Sequence, residues 1–130
     1  MYELKIKDYC FVAHSLNDEF FGPAKNLHGV TYVIELTISS LTLIEKNVII
    51  DIGLITKILK QVIEQYNYKN LDEVESLKGF ITTTEFLAYQ LTNDFIEKLN
   101  KEETNISKIY SIKMILNESH IASASYEKII

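Results

Sequence analysis

From Leu27 to Ile38 the chain alternates between apolar and mixed positions. His28, Val30, Tyr32, Ile34, Leu36 and Ile38 fall on one side, and Gly29, Thr31, Val33, Glu35, Thr37 and Ser39 on the other. Strand side chains change face at every residue, so this reads as a half-buried strand running to about Leu43. An earlier strand shows the same parity: Tyr2, Leu4, Ile6, Cys10, Val12 and His14 share a face, with Asp8 the exception. Each strand thus carries a histidine at one end of its apolar face. The ordinary reading of such a histidine is a core-edge side chain bonded to a backbone carbonyl, and chemistry is the alternative.

Between these strands, Asn17 to Asn26 is a loop punctuated by Gly22-Pro23, and Glu45-Lys46-Asn47 is a later turn before a short extended segment at Val48–Ile50. Asp51 is a suitable cap for the helix that follows. Ile52, Ile55, Leu59, Val62 and Tyr66 keep helical spacing, and Leu54 and Ile58 widen the stripe. Asn67 to Gly79 reads as an acidic surface loop. Thr82 and Glu85 form a capping box for a second helix over 83–100, whose stripe is Leu87, Ala88, Leu91, Phe95 and Leu99. A charged turn at Lys101–Asn105 precedes a third strand, Ile106 to Asn117, with Tyr110, Ile112, Met114 and Leu116 inward and Glu118 continuing their parity. A last strand spans about His120 to Tyr126. The order ββααββ, without repeat or linker, predicts one α+β domain over residues 1–130.

Composition narrows the classes. The chain has 130 residues, of which 47% are apolar and one is proline, enough for a core and unlike a disordered segment. A net charge of −5 with no basic cluster argues against nucleic acid. No apolar run approaches membrane length, and the lone Cys10 suits a reducing compartment, so a cytoplasmic protein with no membrane partner is expected.

Taken together, His14 after a first strand, His28-Gly29 before Tyr32, Asp51 after Val48-Ile49-Ile50, Asn70-Leu71-Asp72, Thr83-Thr84-Glu85 and Glu118-Ser119 resemble the 6-pyruvoyl- and 6-carboxy-tetrahydropterin synthase family along nearly the whole chain. The resemblance implies a tunnelling fold, an antiparallel four-stranded sheet with two helices on one face. It also implies trimers, usually stacked as hexamers, with active sites at subunit interfaces. The family holds zinc with three histidines and uses a cysteine base and an Asp-His pair. A late carboxylate and threonines hold the pterin.

Carried over position by position, the resemblance makes His14 and His28 metal ligands, but the third ligand position is Val30. The cysteine position falls on Ala24 and the Asp-His pair on Asn67-Tyr68. Glu118, Thr83 and Thr84 match the substrate-binding positions. Zinc is therefore an uncertain cofactor, unless Glu19, His120 or a partner subunit completes its shell. Three functions stay open. One is a divergent pterin synthase doing lyase or aldolase-like chemistry on a dihydropterin with non-standard catalytic groups. Another is a metal-free enzyme of the dihydroneopterin aldolase type, using Tyr68 or a lysine as catalytic group. The third is an inactive pterin- or purine-binding protein. Glu118 as a plain exposed strand-end carboxylate remains the simpler alternative to ring binding.

Overall fold

A computed structural model describes residues 1–102 and 105–130. Its frame is an antiparallel hairpin of β1 (Tyr2–His14) and β2 (His28–Ser40), joined residue for residue from Tyr2 opposite Ser40 to His14 opposite His28. After β2 come α1 (Ile52–Glu64), the two-residue β3 (Lys69–Asn70), α2 (Thr84–Lys101), β4 (Ile109–Asn117) and β5 (Ser123–Ile129). The sheet order is β3-β1-β2-β4-β5. The four long strands are antiparallel, as expected. The fifth, β3, pairs in parallel with Val12 and Ala13 at the sheet edge.

Both helices lie on one face, α1 against β1 and α2 against β4 and β5. That face is the one the alternation selects: Cys10, Val12, Tyr32, Ile34, Leu36 and Ile38 are buried beneath it. From α1, Ile55, Ile58, Leu59, Val62 and Ile63 meet them, and from α2 Leu87, Leu91, Phe95 and Leu99. Each fully buried aliphatic of this kind contributes about 2 kcal/mol, so the interlayer core dominates the folding energy. On the opposite face Glu35 sits between Lys5 and Lys7, 3.6 Å from each, and accepts a 2.9 Å hydrogen bond from Asn117.

The structure departs from the expected elements in several places. β2 ends at Ser40, whose hydroxyl lies between the carbonyls of Thr42 and Lys108 and shares its one proton with them. A bulge between Ser39 and Ser40 shifts the β4 register, so β4 begins at Ile109. A bulge reverses side-chain facing locally, and Ile109 turns inward while Tyr110 is exposed. β5 starts at Ser123, because the N–H groups of Glu118 and Ser119 both donate to the Ala122 carbonyl and make His120–Ala122 a turn. Val48–Ile50 is not a strand. The expected loop from Asn67 to Gly79 holds β3 and two short 3-10 turns that bury Leu71 and Leu77. The charged turn at 101–105 includes Glu103 and Thr104, which lie outside the described residues.

Candidate functional site

His14 and His28 close the hairpin as directly opposed residues, and their rings meet edge-on with centroids 4.7 Å apart. Strand parity therefore brings together the two histidines that sequence reasoning singled out. His28 Nδ1 lies 2.7 Å from the Asn26 carbonyl. A carbonyl only accepts, so Nδ1 carries the proton and Nε2 of the neutral ring carries the lone pair. His14 is 2% exposed, and its Nδ1 lies 3.0 Å from the hydroxyl of Thr82. Burial, and then the neighbouring His28, push the His14 pKa below the ordinary imidazole value, while the Asp72 carboxylate pulls the other way. Asp72 is itself fixed by Ser15, whose backbone N–H and hydroxyl both donate to it, the hydroxyl at 2.5 Å.

The stretch Thr82-Thr83-Thr84 performs three different tasks. Thr82 faces His14. The helix cap is Thr83, not Thr82: its hydroxyl accepts from the Phe86 N–H at 3.1 Å, and the one-residue slip from the expected cap frees Thr82 for the histidine. Such a cap stabilises a helix by about 1 kcal/mol. Thr84 lies 3.3 Å from the hydroxyl of Tyr32, a buried phenol on the inner face of β2. Burial pushes the Tyr32 pKa up to about 12, and the nearby charges of Glu118 and Glu85 add to the rise while the Thr84 hydrogen bond opposes it. Glu118 is exposed just beyond β4, with its backbone held by Ala122. Thr84 and Tyr32 thus meet, and Glu118 is near enough for its charge to act on the Tyr32 phenol; the sequence pattern places Tyr32 in the core and Thr82 on a cap.

The remaining positions are placed differently. Val30 follows His28 by two on the same face and stands opposite Val12. Ala24 lies in a short 3-10 segment and its carbonyl accepts from the Leu16 N–H. Asn67 accepts from the Phe11 N–H at 2.8 Å, and the Tyr68 N–H donates to the Phe11 carbonyl. Tyr68 is 79% exposed, has a left-handed backbone (φ 60°) and stacks on Phe11 at 5.2 Å. Phe11 points away from the core, so within one chain Tyr68 is on the other face of the sheet from the histidines. Glu19 is engaged by Lys25, and His120 sits in the exposed β4–β5 turn.

Catalytic zinc ordinarily needs three protein ligands and one open position. The site offers two imidazoles and an aliphatic third position. Among the described residues no group of three histidine, cysteine, aspartate or glutamate side chains could hold a metal. The donor set of a single chain does not fit a catalytic zinc.

The class is set by the frame: a ββααββ chain with a histidine pair closing its first hairpin and a carboxylate after β4 is a tunnelling-fold protein. A solved 6-pyruvoyl tetrahydropterin synthase from Caenorhabditis elegans superposes with a TM-score of 0.81 at 22% identity, covering 98% of this chain and 95% of that one. The Plasmodium vivax 6-pyruvoyl tetrahydropterin synthase superposes at 0.82 and 15% identity, covering 99% and 98%. The family model described as 6-pyruvoyl tetrahydropterin synthase matches residues 3–128, and the chain belongs to that family. Among its relatives, the 6-pyruvoyl tetrahydrobiopterin synthase of Dictyostelium discoideum is 28% identical over 106 residues, 80% of this chain and 74% of that protein. The 6-carboxy-5,6,7,8-tetrahydropterin synthase of Aquifex aeolicus is 29% identical over 122 residues, 79% and 75%.

Proposed function

We propose that this protein is a pterin-binding enzyme of the tetrahydropterin synthase type, with lyase or aldolase-like chemistry on a dihydropterin and non-standard catalytic groups. The observation that supports it is the Tyr32–Thr84 contact at the start of α2, with the Glu118 charge acting on the same phenol. The 2-amino and N3–H edge of a pterin presents two parallel donors, and one carboxylate accepts both, so Glu118 is assigned to the ring. Thr83 and Thr84 are assigned to the same pocket, Thr83 while capping α2. His14 and His28 offer Nε2 atoms at the end of the same hairpin, suited to orienting or exchanging protons with a ligand side chain.

Assembly as a trimer or hexamer fits the sheet edges. β5 is an outer strand, and β3 covers only Val12 and Ala13 on the outer side of β1, so both edges keep unpaired backbone groups for another copy. The buried free thiol of Cys10 suits a reducing, cytoplasmic setting. No helix among the described residues is long and apolar enough to cross a membrane.

A second reading is a binding protein that has lost turnover. Ala24 offers no thiolate, Asn67 no carboxylate, and Tyr68 faces away from the histidines of its own chain. Incubation with dihydroneopterin and its triphosphate separates the two: a released side-chain fragment supports the enzyme, and tight binding without product supports the second reading. Glu118→Gln tests ring anchoring, because an amide cannot accept from both donors. Affinity should fall by on the order of 10-fold or more, the weight of a charge-assisted hydrogen bond. An unchanged Kd would sink the assignment.

A further inference from the structure

His14 is nearly sealed, and among the described residues its side-chain hydrogen-bond partner is the hydroxyl of a residue 68 positions away in sequence. Thr82 is equally sealed, at 3% exposure. No buried side-chain nitrogen or oxygen among the described residues lacks a partner. His14 bonds through Nδ1, so the sliver of its ring that solvent reaches is the Nε2 edge. On the opposite strand the Asn26 carbonyl acts on His28 in the same sense, taking Nδ1 and leaving Nε2.

We propose that Thr82 is the positioning residue of His14, its hydroxyl holding the ring orientation in which Nδ1 points inward and Nε2 is the nitrogen offered outward. The bond is buried on both sides, and a buried hydrogen bond lost from one partner leaves the other unsatisfied, so the ring has a single favourable setting. The helix start is the anchor. Thr83 caps α2 and Thr84 meets Tyr32, so Thr82 is held by its two neighbours at the start of a rigid element. The consequence is a link between the two halves of the site: the turn that brings hydroxyls to the proposed ring pocket also sets the histidine. The inference deepens the proposed function, resting on it only where the histidines are said to meet the ligand.

The test uses the full chain, with Thr82→Val to remove the hydroxyl at constant shape and Thr82→Ser to keep it. Long-range proton–nitrogen spectra of 15N-histidine protein, near pH 7.5, read the tautomer of each of the three histidines. His14→Gln identifies the signal. Parent and T82S should show the same pair of His14 ring-nitrogen shifts, and T82V should move them, Nδ1 most, while His120 stays put. An unchanged His14 pattern in T82V, or a T82S pattern as altered as that of T82V, overturns the proposal. Dihydroneopterin affinity is read separately. Loss of an orienting partner should weaken it by on the order of 10-fold in T82V, with T82S close to the parent. A changed spectrum with unchanged affinity upholds the Thr82–His14 link and counts only against the histidines as ligand contacts.

Discussion

Replacing Val30 with histidine should turn the histidine pair into a zinc site. Position 30 lies two residues beyond His28 on the same face of β2, a separation of about 6.7 Å along a strand, and opposite Val12, two residues before His14. Three imidazoles would then share one face at the end of one hairpin, the ligand number that holds zinc with a fourth position open. Removing even an indirect partner of a metal ligand costs 10–100-fold in affinity, so adding a direct ligand should gain at least about 100-fold. Val30 is half-buried and packs at the rim of the core, so its loss should cost about 1 kcal/mol. Zinc at 100 times its Kd should more than offset that, adding about 2.7 kcal/mol, which for a chain of this size is a rise of about 10 °C in Tm. The assay is competition against a chromophoric chelator, with calorimetric melting as the second readout. If folded V30H binds zinc no better than the parent, with no zinc-dependent rise in Tm, then the facing of His14, His28 and position 30 is misjudged.

Other consequences follow from the core and its electrostatics. Phe95→Ala empties a fully buried position between the layers and should destabilise by about 3–5 kcal/mol, read as a lower urea midpoint at unchanged m. The Asn117 hydrogen bond, with Lys5 and Lys7, holds the Glu35 carboxyl below its usual pKa despite partial burial. The folded state therefore binds that proton less readily than the unfolded chain, so the Glu35 contribution is present above the unfolded carboxylate range and is lost as pH falls through the lowered folded value. Urea melts between pH 3 and 7 should show a shallower acid loss for Glu35→Gln than for the parent; equal slopes would contradict this. Burial, aided by Asp8, pushes the Cys10 thiol up to about 12, so native protein at pH 8 should resist iodoacetamide until denatured, as mass spectrometry would show.

Much of the frame is legible in the sequence because it rests on local periodicity. The even-numbered apolar positions of β1 and β2 dictate their buried face, and once the strands pair, His14 and His28 have to meet. Asp51 caps α1 as its side-chain chemistry predicts, accepting from Gly53 at 3.0 Å. What sequence reasoning missed depends on contacts that periodicity does not encode. Among three consecutive threonines, the choice of Thr83 as cap is decided by Thr82 finding His14 across 68 residues. Tyr110 keeps the parity of Ile112, yet the bulge at Ser39/Ser40 turns it outward. Leu71 and Leu77 lie in a polar segment and are buried because 3-10 turns fold them back. Tyr32 carries no sign in the sequence that its hydroxyl meets Thr84. The unmatched positions Val30, Ala24 and Asn67-Tyr68 are plain in the sequence, and the structure places Tyr68 on the far face of the sheet.

We assign ring recognition to Glu118 and the threonine turn, acting without a metal. Calorimetric titration of dihydroneopterin into the protein in excess chelator tests it most directly. The account predicts saturable binding, retained in chelator and weakened by E118Q. Absence of saturable binding at millimolar ligand, or binding that E118Q leaves untouched, would contradict it.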